Sequence, residues 1–108
     1  FVGLDKILNQ SNDGLEMNVV SANSQLSLGI RKRFALARAI LINGKVVIMD
    51  EPTEGLDDQG AQAFYRYLNR CVEESRTVIL LSHDKAIIKG ADFVIDLNSK
   101  PTPKVVKT

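Results

Sequence analysis

Apolar and polar positions along this chain alternate between helical and extended spacing. Val2, Leu4, Ile7 and Leu8 recur at helical intervals before the polar run Asn9-Gln10-Ser11-Asn12-Asp13-Gly14, which predicts a short helix and then a loop. From Ser27 to Ile42 the chain is rich in Ala, Leu, Ile, Arg and Lys and contains no Pro, and Asn43-Gly44 supplies a stop. A helix capped by Ser27 is expected there. Residues 45–50 (KVVIMD) form a run of β-branched and apolar side chains halted by Pro52, the pattern of a strand buried on both faces. Asp57 and Asp58 then stand where an N-cap belongs, and Ala61, Phe64, Tyr65, Leu68, Cys71 and Val72 follow at helical spacing to about Ser75. Residues 77–82 (TVILLS) repeat the buried-strand pattern, residues 85–89 suit one or two helical turns, and residues 93–97 (FVIDL) make a third strand. The closing PTPKVVKT reads as a loose tail.

Strand, helix and strand from 45 to 82 make a βαβ unit, so the fold class is α/β with a parallel sheet, and three strands are expected in one small sheet. A hydrophobic content of 44% over 108 residues is enough for one packed domain or a piece of one. Fourteen Lys plus Arg against thirteen Asp plus Glu leave a net charge of +1, which provides no global field for nucleic acid or an anionic membrane. Arg31, Lys32, Arg33 and Arg38 share no single face and have no interleaved aromatics, so they read as a solvated surface and no nucleic-acid partner is expected. Phe64, Tyr65 and the single cysteine, Cys71, read as core, and one cysteine permits no internal disulfide, which suits a reducing compartment. No apolar run approaches the roughly 20 residues that span a bilayer, so membrane association is expected to be indirect. Beginning at Phe1 without an initiator Met, the chain reads as a segment of something longer.

Parallel sheets bind ligands beyond the carboxyl ends of their strands. One strand delivers Asp50 and Glu51 there, and the next delivers Ser82, His83 and Asp84. If the two strands are neighbours, an acidic pair and an imidazole face one crevice. An apolar strand ending in Asp-Glu suits phosphoryl transfer: the first carboxylate can hold Mg²⁺ and the second can polarise an attacking water, with His83 contacting the γ-phosphate or orienting that water. The plainer alternative is that Asp50 and Glu51 end a strand and cap a turn, and that His83 satisfies a loop backbone.

Three ordered motifs shift that balance. KVVIMDEPTEGLD at 45–57 resembles the Walker B strand, catalytic glutamate and D-loop of ATP-binding cassette (ABC) ATPases. LLSHD at 80–84 resembles their switch histidine, and LSLGIRKRFALARAI at 26–40 is similar to the signature motif with its following helix. The resemblance implies a partial P-loop NTPase fold of the RecA-like ABC type, with residues 1–43 ending a helical subdomain and residues 44–108 forming the C-terminal part of the core. It implies ATP and Mg²⁺ as cofactors, Asp50 as the Mg²⁺-associated carboxylate, Glu51 as general base and His83 as switch. Asp57 closes the D-loop, and Ser27, Leu28 and Gly29 would present a helix N-terminus to the γ-phosphate held by a second ATPase domain in a head-to-tail dimer.

The implied function is ATP hydrolysis that powers membrane transport, with transmembrane domains as further partners and the cytoplasmic face of a bacterial inner membrane as the location. DGLEMNVVSANSQLSLG at 13–29 looks like a degraded exporter loop that meets those domains, and the combination of EPTEGLD, SHD and a KPTPKV tail is similar to secretion exporters. The family pattern has Gly where this chain has Leu28 and Gln where it has Ile30, which puts a tight composite site in question. G-x-x-x-x-G-K-[ST] does not occur, and neither Gln10 nor Gln25 is placed as a Q-loop residue. These 108 residues alone are therefore expected to be inactive and, with a truncated sheet, to self-associate. Two rivals remain: a DNA-repair or chromosome-maintenance ABC ATPase, and a degenerate domain that binds nucleotide and regulates a partner.

Overall fold

The computed structural model describes residues 2–10 and 27–107. The expected loop after Gln10, the exporter-like stretch up to Leu26 and Gln25 lie outside the described residues.

In chain order the elements are α1 (Asp5–Gln10), α2 (Leu28–Ile42), β1 (Val46–Asp50), α3 (Asp58–Glu73), β2 (Thr77–Leu81), α4 (Lys85–Gly90), β3 (Phe93–Asp96) and β4 (Lys104–Lys107). Each long helix starts where its cap dictates. The Ser27 hydroxyl accepts the Ile30 N–H at the head of α2, and the Asp57 carboxylate accepts the Gly60 N–H at the head of α3. Asn43 ends α2 in the left-handed region at φ 50°, a conformation Asn tolerates better than most residues.

β1 and β2 pair in parallel, Val46 opposite Thr77 and Asp50 opposite Leu81. α3 crosses between them and packs on β2 and on α2. Val47 of β1, Leu36 of α2, Phe64, Tyr67 and Cys71 of α3 and Ile87 of α4 close the core, joined by Val2 and Leu4 from the N-terminal segment. Arg76 locks the turn after α3: its guanidinium donates to the Gly44 carbonyl at 2.7 Å and to the Tyr67 hydroxyl at 3.2 Å, and it lies over the Tyr67 ring. Among the described residues no helix is long and apolar enough to cross a membrane.

Two expectations need correction. The third strand does not join β1 and β2: β3 pairs antiparallel with β4, which is the tail expected to be loose. Val94 and Ile95 stand opposite Val106 and Val105, and β-branched pairs across a ladder stabilise an extended tail that composition alone marks as polar. Nor are β1 and β2 covered on both faces. Val47, Met49, Val78 and Leu80 turn inward, whereas Val46, Ile48, Ile79 and Leu81 are exposed, Ile48 by 67%.

Phe64 is 1% exposed at the centre of this core. Phe64→Ala should lower stability by about 3–5 kcal/mol, measured by chemical denaturation against the parent chain.

Candidate functional site

The site grows from the register of the two parallel strands. With Asp50 opposite Leu81, the chain leaves both strands at one level, and the Glu51 N–H still donates to the Leu81 carbonyl at 2.8 Å. Two residues past Leu81, His83 Nδ1 lies 2.5 Å from Glu51 Oε1. The imidazole is 95% exposed and the Glu51 side chain 30%, so this pair sits at the mouth of the site with the ring toward solvent. Glu51 itself adopts φ 43°, a left-handed conformation that costs a non-glycine residue about 1–3 kcal/mol and persists only where its surroundings hold it. The Lys32 ammonium, arriving from α2, donates to the Glu51 carbonyl and lies 3.7 Å from Glu54 Oε2. Asp50 is exposed at the end of β1, where with Lys32, Arg38 and Ile48 it lines a cavity of 450 Å³.

A second tie runs behind the first. Asp84 Oδ2 accepts the Thr53 hydroxyl at 3.2 Å and the Tyr65 hydroxyl at 3.0 Å, while Oδ1 caps α4 by accepting the Ala86 N–H at 2.8 Å. The Ala86 N–H and then the Tyr65 hydroxyl hold the Asp84 carboxyl below the usual carboxylate range. Burial, and then donation to Asp84, push the Tyr65 phenol up, so it remains a donor at neutral pH.

The start of α2 meets the loop after β1. A Cβ at Gly29 would lie 2.6 Å from the Gly55 carbonyl oxygen, so only glycine allows this backbone approach. Gly55, at φ 73°, is covered by the Leu28 side chain, which would meet an added Cβ at 2.8 Å. Arg33 completes the junction by donating to the Gly3 carbonyl at 3.2 Å and pairing with Asp57 Oδ1 at 2.5 Å. The Gly60 N–H and then Arg33 lower the Asp57 carboxyl.

The residues singled out in the sequence form two clusters, and the acidic pair and imidazole expected to face one crevice lie together in the first. Asp50, Glu51 and His83 gather at the strand exits; Ser27, Leu28, Gly29 and Asp57 gather where α2 meets the 54–57 loop. Among the described residues no three His, Cys, Asp or Glu side chains are grouped to hold a metal. Asp50 thus offers a single carboxylate. That donor set fits Mg²⁺, which commonly takes one or two carboxylates with phosphate oxygens and water completing its shell.

Sequence reasoning missed the roles of Lys32, Arg33, Thr53 and Tyr65. The solvated-surface reading fails for Lys32 and Arg33, whose side chains are only 20% and 11% exposed and hold loops. Arg31 and Arg38 are exposed as expected. Nothing in the spacing of basic residues along α2 separates those two kinds, because the loops that bury Lys32 and Arg33 arrive from more than 18 positions away.

A family model described as ABC transporter matches residues 3–54. The macrolide export ATP-binding/permease protein MacB of Haemophilus ducreyi is 40% identical over 76% of this chain, which covers 12% of that protein. The ATP-dependent lipid A-core flippase of Neisseria meningitidis is 37% identical over 85% of the chain, covering 15% of that protein. The chain thus spans only a small part of the length of these relatives. Among solved structures, the ATP-binding cassette MJ0796, as a dimer in a post-hydrolysis state with ADP and Pi, superposes with a TM-score of 0.70 over 94% of this chain and 43% of that one; at 24% identity this likeness speaks to the fold. A second dimeric structure of that cassette gives 0.62 at 25% identity, over 83% of this chain and 38% of that one.

The lowered Asp84 carboxyl links the site to pH. A carboxylate depressed in the folded state contributes stability that is complete above its unfolded value, near pH 4, and is lost as pH falls through the lower folded value. Asp84→Asn should therefore reduce stability at pH 7 and flatten its decline below about pH 4, as followed by denaturation at a series of pH values.

Proposed function

The chain belongs to the family of ABC transporter ATP-binding domains, and we propose that it supplies the hydrolytic half of a composite ATP site. The observation that carries this reading is the 2.5 Å contact between His83 and Glu51 at the shared exit of two parallel strands. Residues 1–43 are assigned to the end of the helical subdomain and residues 44–108 to the core.

In this reading Glu51 is the general base that polarises the attacking water, and ATP is the substrate. With its proton on Nδ1, His83 donates to Glu51 Oε1 and leaves the other carboxylate oxygen to accept from water, while Nε2 faces the γ-phosphate. The left-handed backbone of Glu51, held by the Leu81 carbonyl and by Lys32, keeps the carboxylate at the mouth of the site. Asp50 would hold Mg²⁺, which when bound offsets charge on the phosphates. The N-terminus of α2, with Ser27, Leu28 and Gly29, faces the nucleotide of a second ATPase domain in a head-to-tail dimer. Asp57 shapes the loop beside it through its cap and its pair with Arg33. The Leu28 side chain stands where the family pattern has only a hydrogen atom, so the composite site is expected to close less tightly.

The relatives are a macrolide export protein and a lipid A-core flippase, which supports transport over chromosome maintenance. We place the domain at the cytoplasmic face of a membrane, the bacterial inner membrane, working with transmembrane domains of an exporter. The exposed face of β1 and β2 supports self-association of the 108 residues in isolation.

In the protein that joins this chain to a phosphate-binding loop, Glu51→Gln should lower ATP turnover by about 10²–10⁴-fold and leave ATP-driven dimerisation intact; unchanged turnover would remove Glu51 from the mechanism. The purified 108 residues should release no phosphate from Mg²⁺-ATP in a colorimetric assay, since G-x-x-x-x-G-K-[ST] does not occur in them.

A further inference from the structure

His83 carries out its part from an exposed position, and packing does not hold its ring. What fixes the imidazole is the backbone of residues 82–84. Within that turn the Asp84 N–H donates to the Ser82 hydroxyl at 3.0 Å, and the Asp84 carboxylate caps α4. Both bonds are local and do not themselves reach β1. Among the described residues, the side chains that bond Asp84 from other elements are Thr53 and Tyr65. Thr53 lies two residues beyond Glu51, so the strand exits are joined by two rungs, Glu51 to His83 outside and Thr53 to Asp84 inside. Tyr65 attaches the inner rung to α3. Its ring packs at 5.5 Å on that of Phe64, which is buried in the core.

We propose that Tyr65 is a positioning residue for hydrolysis: its hydroxyl, together with that of Thr53, clamps Asp84 and so sets the distance at which His83 meets Glu51. This rests on the hydrolytic reading of Glu51 and His83. The Tyr65 hydroxyl bonds Asp84, and the Phe64–Tyr65 ring packing is retained in a phenylalanine variant. Hydroxyl loss therefore tests the clamp rather than the core.

The test uses the full-length protein that carries this chain, with Tyr65→Phe and Thr53→Val made singly and each combined with His83→Ala. Each single variant should lower kcat about fivefold, the worth of one net hydrogen bond, with KM for ATP unchanged within about twofold. In the His83→Ala background, single-turnover rates should show no further fall, because the clamp acts only through His83. A merely structural role would lower the rate by the same factor in both backgrounds, and that result overturns the proposal. So does an unchanged kcat in Tyr65→Phe when Glu51→Gln abolishes turnover. If Glu51→Gln itself leaves turnover intact, the hydrolytic reading has failed and the clamp falls with it. The ¹⁵N resonance of His83 Nδ1 gives a second readout that needs no turnover: it should move in Tyr65→Phe toward its position in Glu51→Gln, and an unmoved resonance refutes the clamp.

Discussion

The parallel pairing of β1 with β2 is the constraint on which the rest depends. Because Asp50 stands opposite Leu81, the next residues emerge from the sheet together and Glu51 comes within hydrogen-bond reach of both the Leu81 carbonyl and His83. A slip of one position would turn every side chain of one strand to the opposite face, exposing Val47 and burying Asp50. The hydrophobic pattern that selects the register is thus also the device that aligns the chemistry. Val47 and Met49 pack into the core while Ile48 and Asp50 are exposed, so burial and the proposed Mg²⁺ carboxylate draw on alternate residues of the same strand.

The second junction, between the head of α2 and the 54–57 loop, works by close backbone approach and buried cations. Gly29 and Gly55 let two main chains meet, Leu28 covers the contact, and Arg33 ties both to the N-terminal segment. Lys32, one residue earlier on α2, reaches the carbonyl of Glu51. α2 thus contacts both the 54–57 loop and the backbone of the residue proposed as base. The glycine usually explained by proximity to phosphate also has a steric reason inside the chain.

Much of this was legible in the sequence. The caps Ser27 and Asp57, the strands at 46–50 and 77–81 and the meeting of Glu51 with His83 follow from local chemistry: short polar side chains beside helical periods, and β-branched runs that end in charge. What escaped reading depends on contacts distant along the chain. The tail became β4 because Val105 and Val106 found Ile95 and Val94, a pairing that no property of PTPKVVKT announces by itself. Tyr65 and Phe64 are adjacent aromatics at helical spacing, yet Phe64 is core and Tyr65 turns its hydroxyl to Asp84; only the arrival of Asp84 from 19 residues away separates them. The buried-on-both-faces reading of β1 and β2 went wrong for a related reason. A run of apolar residues reports that a strand favours cover, without reporting which part of the fold provides it.

The left-handed backbone at Glu51 sets stability and chemistry against each other at one position. Glycine or asparagine would occupy φ 43° with less strain, so a search for tighter folding alone would drift away from a carboxylate there. If Glu51 is the base proposed above, its carboxylate stands at the strand exit at the cost of a strained dihedral angle that a glycine would relieve.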